Sequence, residues 1–388
     1  MSRTICRAAT LLAATGFVLA AGLSGSWPAS AHAAAKSAKG QPYTVYYEVQ
    51  LSGSAANTGV ADPSAPAAFK AAFAGTPVTV DVCDDQGTTA GNIDCEHKAV
   101  ASHAAAFVVT QANQDQSVVD QANIPVVGVA NDTSPQSFDI SAQQGLFAGM
   151  AVALEKKGCK HIGQVIDEGG QAYGAQVANA VKWQSVTDSY ISLTAPDLTP
   201  YIAKLVQAHV QCIDMAMIST QIPQALTAVK QANLKVPIAF PGVILTPAVV
   251  SSLGSLGNGL IEVVSTPPVS APAVAAVAQK MHAVNKTIKV ENTSLDSWAT
   301  ARVIQDGAAN VHGTVTNASL LAVMNKLRDA PTDGLLPPLS MKPQSNSAAA
   351  RRDFDTYVES VVLQHGQQTD PSGFFNVAPQ ITKALSNG

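Results

Sequence analysis

Residues 80–109 read VDVCDDQGTTAGNIDCEHKAVASHAAAFVV. An apolar run closes at Cys83, an Ala-rich helical segment occupies 94–103, and a second apolar run fills 106–109. Strand, helix, strand in that order makes a parallel pair, because parallel strands need a crossover connection. The same alternation extends to both sides of this unit. Strands are expected at 44–51, 78–83, 106–109, 125–130, 162–166, 213–218, 236–240 and 260–264, with helices at 64–74, 94–103, 114–122, 141–157, 173–184, 199–209, 222–232 and 271–284. Most of the strands are continuously apolar, as a sheet covered on both faces requires. The reading is an α/β protein with helices on both faces of parallel sheets.

The pattern restarts after the polar segment Asn131-Asp132-Thr133-Ser134-Pro135, which divides the chain into two Rossmann-like lobes. Pro267-Pro268 and Pro337-Pro338 interrupt regular structure again and mark two further crossings, so a multi-strand hinge is expected. Helical segments at 271–284, 294–311 and 317–328 return to the first lobe. The expected division is 41–135 with 268–332 in lobe 1 and 136–267 with 333–388 in lobe 2. Ligands bind beyond the carboxyl ends of parallel strands, so the cleft between two such lobes is the expected site.

The N-terminus sets the compartment. Arg3 and Arg7 precede an apolar run over 8–23, and Ala31-His32-Ala33 offers a small-x-small cleavage site. Residues 1–33 therefore read as a secretory signal peptide, with 34–40 a flexible leader and the product periplasmic or extracellular. Export favours disulfides. Of the 5 cysteines, Cys6 leaves with the signal. The four that remain, Cys83, Cys95, Cys159 and Cys212, allow three pairings. Placement favours Cys83 with Cys95, a strand end and the helix it feeds, and Cys159 with Cys212, each just before a strand of the second lobe. The net charge of −4 carries no basic cluster, which argues against nucleic acid as a partner.

The acids of residues 80–109 raise the question of metal or acid–base chemistry. Asp84-Asp85-Gln86-Gly87 lacks the alternation of an EF-hand loop. Zinc would need both thiolates, which export commits to a bridge. No metal or cofactor is expected. His97, His103, His161, His209 and His282 read as surface residues, Trp183 and Trp298 as core residues of helices. G-x-G-x-x-G, P-loop and G-x-S-x-G motifs are missing from the mature chain, which removes the common nucleotide and acyl-transfer chemistries.

At this point the chain resembles the type I periplasmic substrate-binding proteins, in particular the leucine/isoleucine/valine-binding group of ABC importers. The carriers are Val82-Cys83-Asp84-Asp85-Gln86, Asn123-Ile124-Pro125-Val126-Val127-Gly128, and Asp167 followed by Tyr173-Gly174. LTAVKQANLKVP at 226–237 and TDGLLPPL at 332–339 complete them, so the resemblance spans nearly the whole mature chain. It implies a two-lobed binder, not an enzyme, that captures a small polar, amino-acid-like molecule and delivers it to an ABC permease. The alternatives are a ligand-binding sensor ectodomain and a secreted α/β enzyme built on Asp132, Asp167 and Glu168.

Transferred loop by loop, the resemblance implies ligand contacts at Ser54, Thr58, Gln111, Asn113 and Asp132 in the first lobe, and at Tyr173 and Gln221 in the second. Five of these also have a plainer reading: helix-start packing for Tyr173, a cap for Asp132, solvated loop for Gln111, Asn113 and Gln221. Two anchors of the amino-acid binders are missing. Asp132 stands where a carboxylate would be held and would repel it, and Phe240-Pro241-Gly242-Val243 offers no acid for an ammonium.

Overall fold

The computed structural model describes residues 41–53, 63–110, 115–129, 134–141, 143–343 and 352–386. The expected signal peptide and leader, and with them Ser54, Thr58, Gln111, Asn113 and Asp132, lie outside the described residues. The first sheet contains β1 (Tyr43–Val49), β2 (Val78–Asp84), β3 (Ala106–Val109), β4 (Val126–Gly128) and β5 (Ser137–Asp139), all parallel, in the order β2-β1-β3-β4-β5. Successive β1 residues feed opposite faces, which explains why its sequence YTVYYEV is mostly apolar rather than alternating. Val45 and Tyr47 join a core with Phe69 and Trp298, whereas Tyr46 joins Phe107 and the Cys83–Cys95 bridge on the other face.

The second sheet contains β6 (His161–Asp167), β7 (Ser185–Ile191), β8 (Cys212–Ala216), β9 (Ile238–Pro241), β10 (Ile261–Val264), β11 (Tyr357–Gln364) and β12 (Gln367–Thr369). Its order is β12-β11-β10-β9-β8-β6-β7, with a short β13 (Phe375–Asn376) pairing β11. β6 to β10 are parallel, while β11 runs antiparallel to β10. The expected two-lobed α/β fold is present.

The lobe boundaries differ from those expected. Ser137–Asp139 pairs β4 in the first sheet. Leu335, Leu336, Leu339, Met341 and Phe354 pack in the first core. The prolines at 337 and 338 mark an irregular loop, but the leucines around them are buried under the first lobe, and Ala330 bridges Leu339. The chain re-enters the second lobe between Phe354 and Val358, which lies in a second-lobe core.

Both bridges form as expected, Cys83–Cys95 and Cys159–Cys212. Cys95 sits inside a helix over Thr89–Ala101 rather than at its start, because Thr88 caps the helix earlier and its hydroxyl accepts from Gly91 N. Trp298 is core, but Trp183 follows the helix ending at Ala180 and donates to the Val177 carbonyl.

The acids of the 80–109 stretch hold backbone. Asp84 Oδ1 accepts the N–H groups of Leu51, Ser52 and Gln86, and Glu96 Oε2 accepts those of Val118 and Val119. No cluster able to hold a metal ion occurs among the described residues. No described helix is long and apolar enough to cross a membrane.

Candidate functional site

Beyond the carboxyl ends of β6, β8 and β9 lies a cavity of about 610 Å³, within the range of small-molecule sites. The second lobe contributes the loops after these strands and part of the helix over Gln143–Lys156. The first lobe contributes Pro63, Lys289, Glu291, Asn292 and Thr293. The walls therefore belong to both lobes.

β6 ends at Asp167, whose Oδ2 accepts the N–H of Ile218 in the loop after β8. That bond ties two strand ends together at the cavity. Oδ1 of Asp167 is buried without a partner among the described residues, and burial raises the carboxyl above its ordinary pKa despite the donated N–H. Two residues on, Gly169-Gly170 opens the helix Gln171–Ala180. Gly174 packs closely there: a Cβ would stand 2.5 Å from Ile166 Cδ1, so a larger residue would require the Ile166 side chain to turn aside. Gln164 Nε2 then donates to the Gly174 carbonyl at 3.0 Å and fixes the first turn.

This turn carries Tyr173, which lines the cavity and stacks on Phe147 with ring centroids 4.5 Å apart and planes 11° off parallel. Such a pair contributes roughly 0.5–1.5 kcal/mol beyond its burial. Met217, Leu193 and Val243 extend an apolar wall, and the last two are 50% and 48% exposed. Large apolar side chains facing open space at a cleft mark a place for apolar contact. The charged groups are Asp167, Glu168, Glu291 and Lys289, the last the one lysine or arginine among the described lining residues.

Of the expected contacts, the structure places Tyr173 at the cavity. Gln221 is only 5% exposed, donates to the Ser192 carbonyl at 3.0 Å, and does not line the cavity. It is polar and follows a strand, but it is spent on the neighbouring loop. Phe147 went unread because an aromatic residue in an apolar helix has the pattern of core, which it also partly is. Lys289 lies far in sequence from every strand end, and no sequence signal singled it out.

A family model described as periplasmic binding protein matches residues 42–355. No curated protein matches the chain in sequence. Among solved structures, a leucine-binding protein from Thermotoga maritima superposes with a TM-score of 0.67 at 13% identity, covering 86% of this chain and 99% of its own. A fatty acid ABC transporter substrate-binding protein from Thermomonospora curvata gives 0.69 at 14%, covering 89% and 96%. An ABC transporter solute-binding protein from R. palustris, in complex with benzoate, gives 0.65 at 18%, covering 86% and 96%. At these identities the likeness is one of fold.

Proposed function

This chain belongs to the periplasmic binding protein family, and we propose that it is the exported solute-binding component of an ABC-type uptake system, holding a small molecule with an apolar body between its lobes for delivery to a permease. The observation that carries the ligand class is the second-lobe wall, where the Tyr173–Phe147 pair continues into Met217, Leu193 and Val243. This narrows the small polar molecule expected from sequence to one whose polar groups sit on a hydrocarbon or aromatic frame. Proteins of similar fold include a leucine-binding protein, a fatty acid transporter component and a benzoate complex, and these three ligands have apolar bodies. The two disulfides support export. The family and these neighbours are binding proteins, which supports capture without turnover.

The test is a thermal-shift screen of leucine, aromatic carboxylates, medium-chain fatty acids and small sugars, followed by calorimetry on the hits. A ligand at 100 times its dissociation constant stabilises the protein by about 2.7 kcal/mol. One-to-one binding of an apolar-bodied compound with no loss of compound over time is the expected result. Selective binding of a sugar refutes the ligand class, and turnover of a hydrolase panel refutes the function.

A further inference from the structure

A second cavity, of about 680 Å³, adjoins the cleft and shares Leu245, Pro247, Glu291 and Asn292 with it. Its walls come from both lobes, since Leu295 belongs to the first core and Leu363 to a second-lobe core. The hairpin from β11 to β12 closes one side. His365 and Gly366 take left-handed φ angles of 51° and 74° in its turn, and Asn258 Oδ1 accepts the His365 N–H at 2.7 Å.

Glu262, in the middle of β10, lines this cavity although it is only 1% exposed. Its Oε2 accepts from Gln368 Nε2 at 2.9 Å, and the Asn292 side chain gives a second hydrogen bond. Both partners are neutral amides. No lysine or arginine lines the cavity among the described residues. Glu291, the other acid at the wall, is engaged in capping the helix Asn292–Ala309. A buried carboxylate lacking a counter-charge is costly to its fold. Other acids here are also buried, but Glu48, Asp214 and Asp355 line neither cavity, whereas Glu262 is a lining residue of this one.

The rest of the lining decides the shape of that guest. Val250, Val269 and Leu363 present hydrocarbon, with Val269 50% exposed at the mouth. We propose that this cavity is a second ligand site, separate from the cleft, which takes a small hydrophobic amine with its ammonium against Glu262 and its hydrocarbon body along the apolar wall. Burial raises the Glu262 carboxyl to about 7, so at pH 8 it is largely ionised and able to pair. The inference stands apart from the identity of the cleft ligand.

The experiment is calorimetric titration of the purified protein at pH 8 with phenethylamine, and with phenethyl alcohol and phenylacetate as matched neutral and anionic probes. The amine should bind one-to-one, with the alcohol at least about tenfold weaker and the acid not bound. Glu262→Gln keeps the shape and removes the charge, and Val269→Trp fills the mouth from an exposed position. Each should weaken the amine about tenfold or more, while Tyr173→Ala, in the cleft, leaves it unchanged. If Glu262→Gln does not fold, Val269→Trp decides alone. No amine binding at millimolar concentration, equal binding of amine and alcohol, wild-type affinity in the folded variants, or loss of the amine in Tyr173→Ala each overturns the proposal.

Discussion

Replacing Asp214 with asparagine should stabilise the protein at pH 8 and have little effect near pH 4. Asp214 is fully buried on β8. In register it lies beside Gln164 of β6, which in turn lies beside Asp188 of β7, so an amide separates two acids across three strands. Gln164 Nε2 donates to Asp214 Oδ2 at 3.2 Å, and Oδ1 has no partner among the described residues. Burial, with a smaller contribution from the Asp188 charge, raises the carboxyl from 3.8 to about 8. A carboxyl raised on folding contributes stability that is fully present below about 3.8 and is lost as pH rises through about 8. At about 1.4 kcal/mol per pH unit, the loss between pH 5 and pH 8 is on the order of 4 kcal/mol. For a unit of 150–250 residues, where 1 kcal/mol moves the Tm by about 2–4 °C, this amounts to roughly 10 °C. Asparagine mimics the protonated carboxyl and cannot ionise. Thermal unfolding followed by circular dichroism at pH 5, 6.5 and 8 should therefore show the variant's advantage growing by about that amount. A Tm difference between variant and wild type that is the same at all three pH values refutes the reasoning.

Three further outcomes follow from the same geometry. Tyr173→Ala removes the ring stacked on Phe147 at 4.5 Å, so the cleft ligand should bind about tenfold more weakly by calorimetry, while Gln221→Ala should leave affinity near wild type. Reducing the bridges to alanine pairs should cost about 4 kcal/mol for Cys159 with Cys212, separated by 53 residues, and about 3 kcal/mol for Cys83 with Cys95, separated by 12. Urea unfolding measures this order, and a larger loss at the shorter loop contradicts the chain-entropy account. Gly174→Val brings carbon atoms to about 2.5 Å from Ile166 Cδ1, so Ile166 or the helix that carries Tyr173 must give; ligand affinity should fall if the helix shifts, even where the melting temperature changes by only a few degrees.

How much of this was legible in the sequence follows from where each residue sits in the sheets. Central strands such as β1, β3 and β8 are covered on both faces, so burial made β3 continuously apolar and left β1 and β8 mostly apolar, broken only by Thr44, Glu48 and Asp214, which kept them readable. β7 is an edge strand with sequence SVTDSYI that leaves Val186 and Tyr190 each 37% exposed, and its alternation resembles a polar loop. β5 has three residues, too few for any period to register. The cleft divides in the same way. Tyr173 was visible because Tyr173-Gly174 after Asp167 is one of the local motifs that carry the resemblance. Leu193, Met217, Val243 and Lys289 meet only through the fold, and each alone is an unremarkable loop or strand-end residue. Gln221 shows the converse: polarity after a strand suggests a ligand contact, yet a buried amide tends to satisfy its donors, and Gln221 donates to the Ser192 carbonyl. The acids of the 80–109 stretch follow that rule too. Asp84 and Glu96 are where chemistry was first sought, and the fold uses them to terminate backbone. A buried acid in this protein therefore points to a ligand only where, as at Glu262, a cavity lies beside it.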